Sequence, residues 1–347
     1  MRAEILLFLK TPGGPGIHRT STETDRRGRG GNPGPFGHNR TVTDEILPFR
    51  IEVPQADLDD LRDRLARTRW PDQLPDVGWD YGIPLDYVRE LASYWRDGYD
   101  WRVHEARLNG FDQFVTTISG AQVHFLHVRS AVPDAMPLII THGWPGSVVE
   151  FTGIIGPLTD PAAYGGSAAD AFHLVIPSIP GYGFSGPTRD RGWDARRVAR
   201  AWTELMSRLG YQRYGAQGGD WGSVISRELG LADPEHVAGV HLNMLITRVP
   251  DDAGELTEEE NRRREAARRF RATGSGYNMI QATRPQTLAY GLTDSPAGQL
   301  VGPPGPPQPV PQVVQVRLRD VDAERQDLIR HAAIFAKPGE YPGRQES

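Results

Sequence analysis

One stretch of nine residues combines a carboxylate with the small residues that a sharp turn requires. Residues 214–222 read YGAQGGDWG, and Gly218 and Gly222 lie two positions on either side of Asp220. Glycine tolerates unusual backbone angles and close packing of one segment against another. The spacing is typical of a strand that enters a helix through a tight turn, with a nucleophile at its apex. The alternative is a plain Gly-rich loop in which Asp220 only caps the helix.

A second motif could supply hydrogen-bond donors to the same site. Residues 142–147 read HGWPGS and directly follow a predicted strand that ends at Thr141. In hydrolases built around such a turn, a loop at this position contributes one backbone N–H to an oxyanion hole, and the residue after the nucleophile contributes the other. Here we assign those two donors to Trp144 and Trp221. The alternative is an ordinary loop in which His142 is merely hydrogen-bonded.

Composition excludes several classes of function. The chain has 347 residues and a net charge of −5, which gives no sign of a nucleic-acid partner. It contains no cysteine, so neither a disulfide framework nor a thiolate metal site is available. The apolar run at residues 5–9 is far shorter than the roughly 20 residues of a membrane span. We therefore expect a soluble, cytoplasmic protein without a metal or other cofactor, and its oligomeric state stays open.

Hydrophobic periodicity indicates which elements position these motifs. Buried apolar or alternating segments predict strands at 114–118, 122–128, 137–141, 172–176, 214–218 and 237–242. Helical spacing predicts helices at 57–67, 85–95, 148–158, 194–209, 221–232 and 255–271. Buried strands that alternate with helices favour an α/β fold, with a mostly parallel, doubly wound sheet and helices on both faces.

The composition changes along the chain and suggests five regions. We expect a disordered arm at 1–46, an N-terminal extension with the first strands at 47–130, and an α/β core at 131–246. A helical lid is predicted at 247–300. The last region, 301–347, begins with six prolines in twelve residues, so we expect neither a helix nor an interior strand there.

Taken together, the motifs resemble those of the microsomal-type epoxide hydrolases, which belong to the α/β-hydrolase superfamily and carry an N-terminal extension. The resemblance covers about residues 47 to 300. Besides the two motifs above, it rests on matching segments at 49–51, 69–71, 98–101, 181–185, 275–277, 280–283 and 294–296. It implies that the chain is a hydrolase with a nucleophile elbow. It also implies that this hydrolase takes part in detoxification or aromatic hydrocarbon catabolism.

The resemblance implies a small-molecule epoxide as the substrate. Asp220 is expected to be ionised, because the reference pKa of an aspartate is about 3.9, and it needs no base to attack a carbon. Its attack would open the epoxide and leave an alkyl ester on the enzyme together with an alkoxide. The family places a lid tyrosine as the proton donor to that alkoxide, and Tyr277 matches it. The competing interpretation is that Tyr277 only packs the lid.

The second half of the reaction has no clear partner in the sequence. Hydrolysis of the ester needs a general base, which is normally a histidine in a loop after the last strand. His236 and His241 come too early in the chain, and His331 lies in a segment that reads as a helix. The second lid tyrosine and the charge-relay acid have no match either. We therefore expect the last core strands to be missing, through truncation, frameshift or divergence, and turnover to be impaired.

Two other functions remain open at this point. A haloalkane dehalogenase also uses Asp followed by Trp beside a similar loop, although Tyr277 and the N-terminal extension argue against it. The other is a catalytically dead remnant of the fold.

Overall fold

The computed structural model describes residues 45–244 and 254–300, together with a short strand at 314–316. Nearly all of the predicted N-terminal arm and most of the proline-rich region lie outside the described residues. The described part contains one mixed sheet of eight strands in the order β1-β2-β3-β5-β4-β6-β7-β8. The strands are β1 (Leu47–Pro48), β2 (Gln113–Ile118), β3 (Ala121–Val128), β4 (Met136–Thr141), β5 (Phe172–Pro177), β6 (Tyr214–Gly218), β7 (Val237–Leu242) and β8 (Val314–Val316).

The centre of the sheet is parallel, as the alternation of strands and helices predicts. β4 pairs in parallel with both β5 and β6, and β6 pairs in parallel with β7. The flanking pairs are antiparallel. β2 and β3 form a hairpin through Ser119 and Gly120, which both have positive φ, at 49° and 82°. This backbone geometry matches the right-handed twist of the two strands.

The described residues contain ten α-helices. They are α1 (Gln55–Ala66), α2 (Leu85–Asp97), α3 (Trp101–Leu108), α4 (Ile155–Thr159), α5 (Ala195–Arg208), α6 (Trp221–Ala232), α7 (Glu258–Thr273), α8 (Gly276–Thr283), α9 (Gln286–Asp294) and α10 (Pro296–Leu300).

Alternation along the strands gives the sheet two apolar faces. On β4, Ile139 packs into a cluster with α5 and α6, where Trp202 is completely buried. Leu138 and Ile140 point to the other face, which packs against α4 and the turn before it. Since successive side chains of a strand point to opposite faces, β4 needs apolar residues at both registers. The prediction of helices on both faces is confirmed.

The predicted helix at 148–158 is wrong as a continuous element. The structure has a 3₁₀ turn at Val148–Phe151 and then the short helix α4. Pro157 has no N–H to donate to the carbonyl of Gly153, and its ring would clash with that carbonyl in a continuous helix. In α4 the proline falls within the first turn, where no such donor is required.

Two further elements differ from the prediction. Helix α3 was not predicted; Asp100 begins it by accepting a hydrogen bond from the N–H of Arg102 at 2.9 Å. The expectation that the last core strands are missing is not confirmed, because the short strand β8 pairs antiparallel with β7. β8 lies at the edge of the sheet, where it does not interrupt the central ladder.

The N-terminal helices and the end of the predicted lid share one cluster. Leu65 of α1 and Trp95 of α2 pack with Leu300 of α10. An exposed ion pair between Arg64 and Asp294, at 3.1 Å, joins the same two parts of the chain. Because exposed ion pairs contribute little, apolar burial supplies most of this contact.

None of the helices in the described residues is long and apolar enough to cross a bilayer. The predicted compartment stays a prediction.

Candidate active site

The turn between β6 and α6 holds Asp220 in a left-handed backbone conformation, with φ at 51°. This conformation costs a residue with a Cβ roughly 1–3 kcal/mol, and such residues cluster at functional sites. A Cβ on Gly218 would overlap the carbonyl of Gly222, and a Cβ on Gly222 would overlap the carbonyl of Thr141. The small residues are therefore required by close packing of backbone against backbone, as the spacing predicts.

The Asp220 carboxylate faces the HGWPGS loop and does not cap α6. Its Oδ1 accepts a hydrogen bond from the backbone N–H of Trp144 at 2.8 Å, and the side chain makes no capping bond to the helix. A Cβ on Gly143 would overlap the Asp220 side chain, so this loop needs glycine at that position. The structure therefore favours an elbow with a projecting carboxylate over a simple N-cap.

His142 is a buried structural residue in this site. Its Nε2 accepts from the N–H of Ile179 at 3.1 Å, and its Nδ1 donates to the carbonyl of Gly143 at 2.9 Å. Burial lowers the pKa of His142 to about 4, so the ring is neutral at pH 7. Both nitrogens are occupied, and the ring cannot accept a proton from water without breaking a bond. The alternative interpretation, in which His142 is merely hydrogen-bonded, is thus correct for its side chain. The backbone amide of Trp144 in the same loop still donates to Asp220.

The structure brings Tyr277 of α8 over the same loop. The rings of Tyr277 and Trp144 stack with their centroids 5.9 Å apart. Partial burial and then the nearby Asp220 carboxylate raise the pKa of the Tyr277 phenol, so its proton is retained at neutral pH. Trp221 follows Asp220 as the first residue of α6, and its N–H is one of the first-turn amides that have no partner within a helix.

Sequence reasoning missed two ionisable groups near Asp220. Glu150 accepts a hydrogen bond from the N–H of Ser147 at 3.0 Å, and Tyr182 packs against the His142 ring with centroids 5.6 Å apart. Burial, and then the charge of Asp220, raise the pKa of both groups. The signal for Glu150 was the Ser-x-x-Glu spacing of a capping box at 147–150.

Within the described residues, neither His236 nor His241 makes a hydrogen bond to Asp220. His236 pairs with Asp233 at 2.5 Å, beyond the far end of α6. His241 lies within β7 opposite Gln217 and its ring nitrogens have no hydrogen-bond partner. His331 lies outside the described residues. Within the described ranges, no group of three His, Asp or Glu side chains could hold a metal ion.

Two family models match the chain. A model described as the epoxide hydrolase N terminus matches residues 46–151, and one described as the alpha/beta hydrolase fold matches residues 136–271.

Curated proteins resemble it over the same region. A putative epoxide hydrolase of Stigmatella aurantiaca is 49% identical over 73% of this chain and 58% of its own length. Epoxide hydrolase 1 of Sus scrofa is 38% identical over 76% of this chain and 63% of its own length. The chain therefore spans about three fifths of the length of these relatives.

Solved structures agree in both fold and sequence. Juvenile hormone epoxide hydrolase of the silkworm Bombyx mori superposes with a TM-score of 0.69 and 33% identity, covering 76% of this chain and 66% of that one. The epoxide hydrolase of Aspergillus niger gives a TM-score of 0.67 and 34% identity, covering 74% of this chain and 68% of that one. Together with the HGWPGS loop, the Asp220 elbow and the N-terminal extension, this similarity shows that the chain belongs to the microsomal-type epoxide hydrolase family of α/β-hydrolases.

Proposed function

We propose that this chain opens small-molecule epoxides by attack of Asp220 on a ring carbon. The observation that carries the proposal is the Asp220 carboxylate itself, which projects from a strained elbow toward the Trp144 amide instead of capping its helix. In the reaction, one carboxylate oxygen forms a bond to carbon while the C–O bond of the ring breaks. The products are an ester on Asp220 and an alkoxide on the neighbouring carbon.

The alkoxide requires a proton, and we assign its donor to Tyr277. The phenol lies over the loop that binds Asp220, and its raised pKa keeps it protonated before the attack. The aromatic pair of Tyr277 and Trp144 would also line the substrate pocket with apolar surface, which suits the hydrocarbon part of an epoxide.

Hydrolysis of the ester forms the second half of the proposed reaction. Water would attack the ester carbon, and the amides of Trp144 and Trp221 would stabilise the negative oxygen that develops. In the described part of the chain, His142 has both ring nitrogens engaged and His236 is paired with Asp233. We therefore propose that ester hydrolysis is slow relative to ester formation, so the covalent ester accumulates.

Intact-mass spectrometry after exposure to styrene oxide tests this function. We expect a mass gain equal to one epoxide molecule, followed by slow loss of the adduct as the vicinal diol. Rapid diol production without a detectable adduct would contradict slow hydrolysis. If neither an adduct nor a diol were detected, that result would contradict epoxide chemistry altogether. Chloride release from a chloroalkane, measured in parallel, would instead favour a haloalkane dehalogenase.

A further inference from the structure

Thr141 is a polar residue at the end of an apolar strand. It is the last residue of β4 and is almost completely buried. Its side chain lies on the same face of the sheet as Ile139, which packs into the apolar cluster of α5 and α6. There its Oγ1 accepts a hydrogen bond from the indole N–H of Trp202 at 3.1 Å. Valine has the same branched shape, so the hydroxyl of threonine is needed here as the acceptor for a buried indole.

The backbone of Thr141 contacts both glycines of the elbow. It lies opposite Gly218 in the parallel pair of β4 and β6, and Gly218 comes two residues before Asp220. Its carbonyl lies against the Cα of Gly222, two residues after Asp220, where a Cβ would overlap it. The position of Thr141 is therefore fixed relative to the elbow on both sides of the nucleophile.

The HGWPGS loop needs only three residues to run from Thr141 to the Asp220 carboxylate. The first of them, His142, has both ring nitrogens engaged, one by the loop itself and one by the N–H of Ile179. The third, Trp144, donates its backbone N–H to Asp220 at 2.8 Å. Because this short connection is held by hydrogen bonds, a displacement of Thr141 would also displace the Trp144 amide.

We propose that Thr141 and Trp202 are positioning residues for the nucleophile. Their hydrogen bond fixes the point at which the HGWPGS loop leaves the sheet, and it thereby holds the Trp144 amide on Asp220. This inference rests on the proposed epoxide chemistry. Neither side chain touches the epoxide, since both are buried in the protein and both act through the loop.

The alternative is that this hydrogen bond serves only the stability of the core. The same apolar cluster contains a buried hydrogen bond that can serve as a comparison. Tyr214 donates from its phenol to Oδ2 of Asp233 at 2.8 Å. Tyr214 is the first residue of β6, so it lies at the end of that strand farthest from Asp220. Loss of this bond should destabilise the fold without moving the nucleophile.

Single-turnover kinetics of the whole chain with a concentration series of styrene oxide test the proposal. Thr141→Val removes the acceptor but keeps the branched shape of the side chain. We expect the maximal rate of ester formation to fall about tenfold, less than the roughly 100-fold effect of a 1 Å misplacement. The epoxide concentration at half-maximal rate should not change, because the Thr141 side chain faces the apolar cluster. Thr141→Ser keeps the hydroxyl and should retain the parent rate within about threefold.

Trp202→Phe removes the donor of the same hydrogen bond and should slow the same step. Because both substitutions break one interaction, the double variant with Thr141→Val should be no slower than the slower of the two single variants. Tyr214→Phe is the matched control, which should be less stable than the parent but should form the ester at the parent rate. Urea denaturation of each variant shows that it is folded under the conditions of the assay.

Three results would overturn the positioning role. They are an unchanged rate in Thr141→Val, an equal loss of rate in Thr141→Ser, and an equal loss of rate in Tyr214→Phe. The second would show that packing matters and the hydrogen bond does not, and the third would show a general effect of lost stability. If the parent chain formed no ester, that result would instead contradict the proposed function on which the inference rests.

Discussion

Asp220 depends on a glycine in a different loop. A Cβ at position 143 would occupy the place of the Asp220 side chain, whereas a Cβ at Gly239, within β7, would meet nothing within 4 Å. We therefore expect Gly143→Ala to slow ester formation on the order of 100-fold by displacing the carboxylate, since small misplacements of reacting groups have effects of this size. Stopped-flow or quenched-flow mass spectrometry would measure it. Gly239→Ala is the control, and equal rates in the two variants would show that Gly143 does not position Asp220.

A second prediction for a single residue concerns Tyr277. Tyr277→Phe keeps the ring that stacks on Trp144 but removes the proton donor. We expect ester formation to slow by about 10²–10⁴-fold, which is typical for loss of general acid catalysis. In the parent chain the raised pKa of Tyr277 should preserve ester formation up to about pH 10, the usual pKa of a tyrosine. Tyr290→Phe, on an exposed lid residue, should change neither rate nor pH profile.

These single residues differ in how far sequence could reveal them. Gly218, Asp220 and Gly222 were predictable because one turn fixes their spacing within a few positions. Glu150 was not, because its capping-box spacing is shared with Glu260 at the start of α7, and only the fold surrounds one of the two with protein that raises its pKa. Local pattern specifies the contact of each glutamate with its own backbone, while tertiary packing decides its charge.

At the scale of elements, helix α5 packs six buried residues, among them Trp202, into the apolar cluster on one face of the sheet. Asp194 begins the helix by accepting a hydrogen bond from the N–H of Arg197 at 2.9 Å. We expect Asp194→Ala to lower the free energy of unfolding by about 1 kcal/mol through loss of the cap, measured by urea denaturation. Asp194→Asn retains a capping oxygen and should lose much less. Equal losses in both variants would point to the charge of Asp194 as the cause.

Helices α5 and α6 were predictable because both are long, amphipathic and bounded by clear start and stop residues. The segment at 148–158 was misread, since its apolar residues are compatible with one helix, whereas Pro157 is tolerated only in the first turn of a helix. Strand β8 was missed because three residues after a proline-rich run carry almost no periodic signal. It pairs with the edge of the sheet at β7, and this pairing could not be predicted from those three residues alone.

At the scale of the whole molecule, the N-terminal extension and the lid are coupled through one apolar cluster. Trp95 is buried between α1 and α10, where Leu65 and Leu300 contact the same cluster. We expect Trp95→Ala to lower the free energy of unfolding by about 3–5 kcal/mol. It should also expose both the α1–α2 region and the 286–300 region to protease, as judged by limited proteolysis and mass spectrometry.

Tyr81→Ala, at a side chain that is 79% exposed, is the control for this cluster. Unchanged cleavage within 286–300 in the Trp95→Ala variant would show that the two parts do not depend on each other. The parallel sheet and its two helical layers could be predicted from the order of the elements. The contact between α2 and α10 could not, because it joins segments about 200 residues apart.

The most direct test of the account locates the covalent bond itself. The chain is exposed to styrene oxide, digested, and the modified peptide is sequenced by tandem mass spectrometry. We predict an ester on Asp220, with no adduct at this peptide in Asp220→Asn. An adduct on any other residue, or an unchanged adduct in the Asp220→Asn variant, would contradict the assignment of Asp220 as the nucleophile.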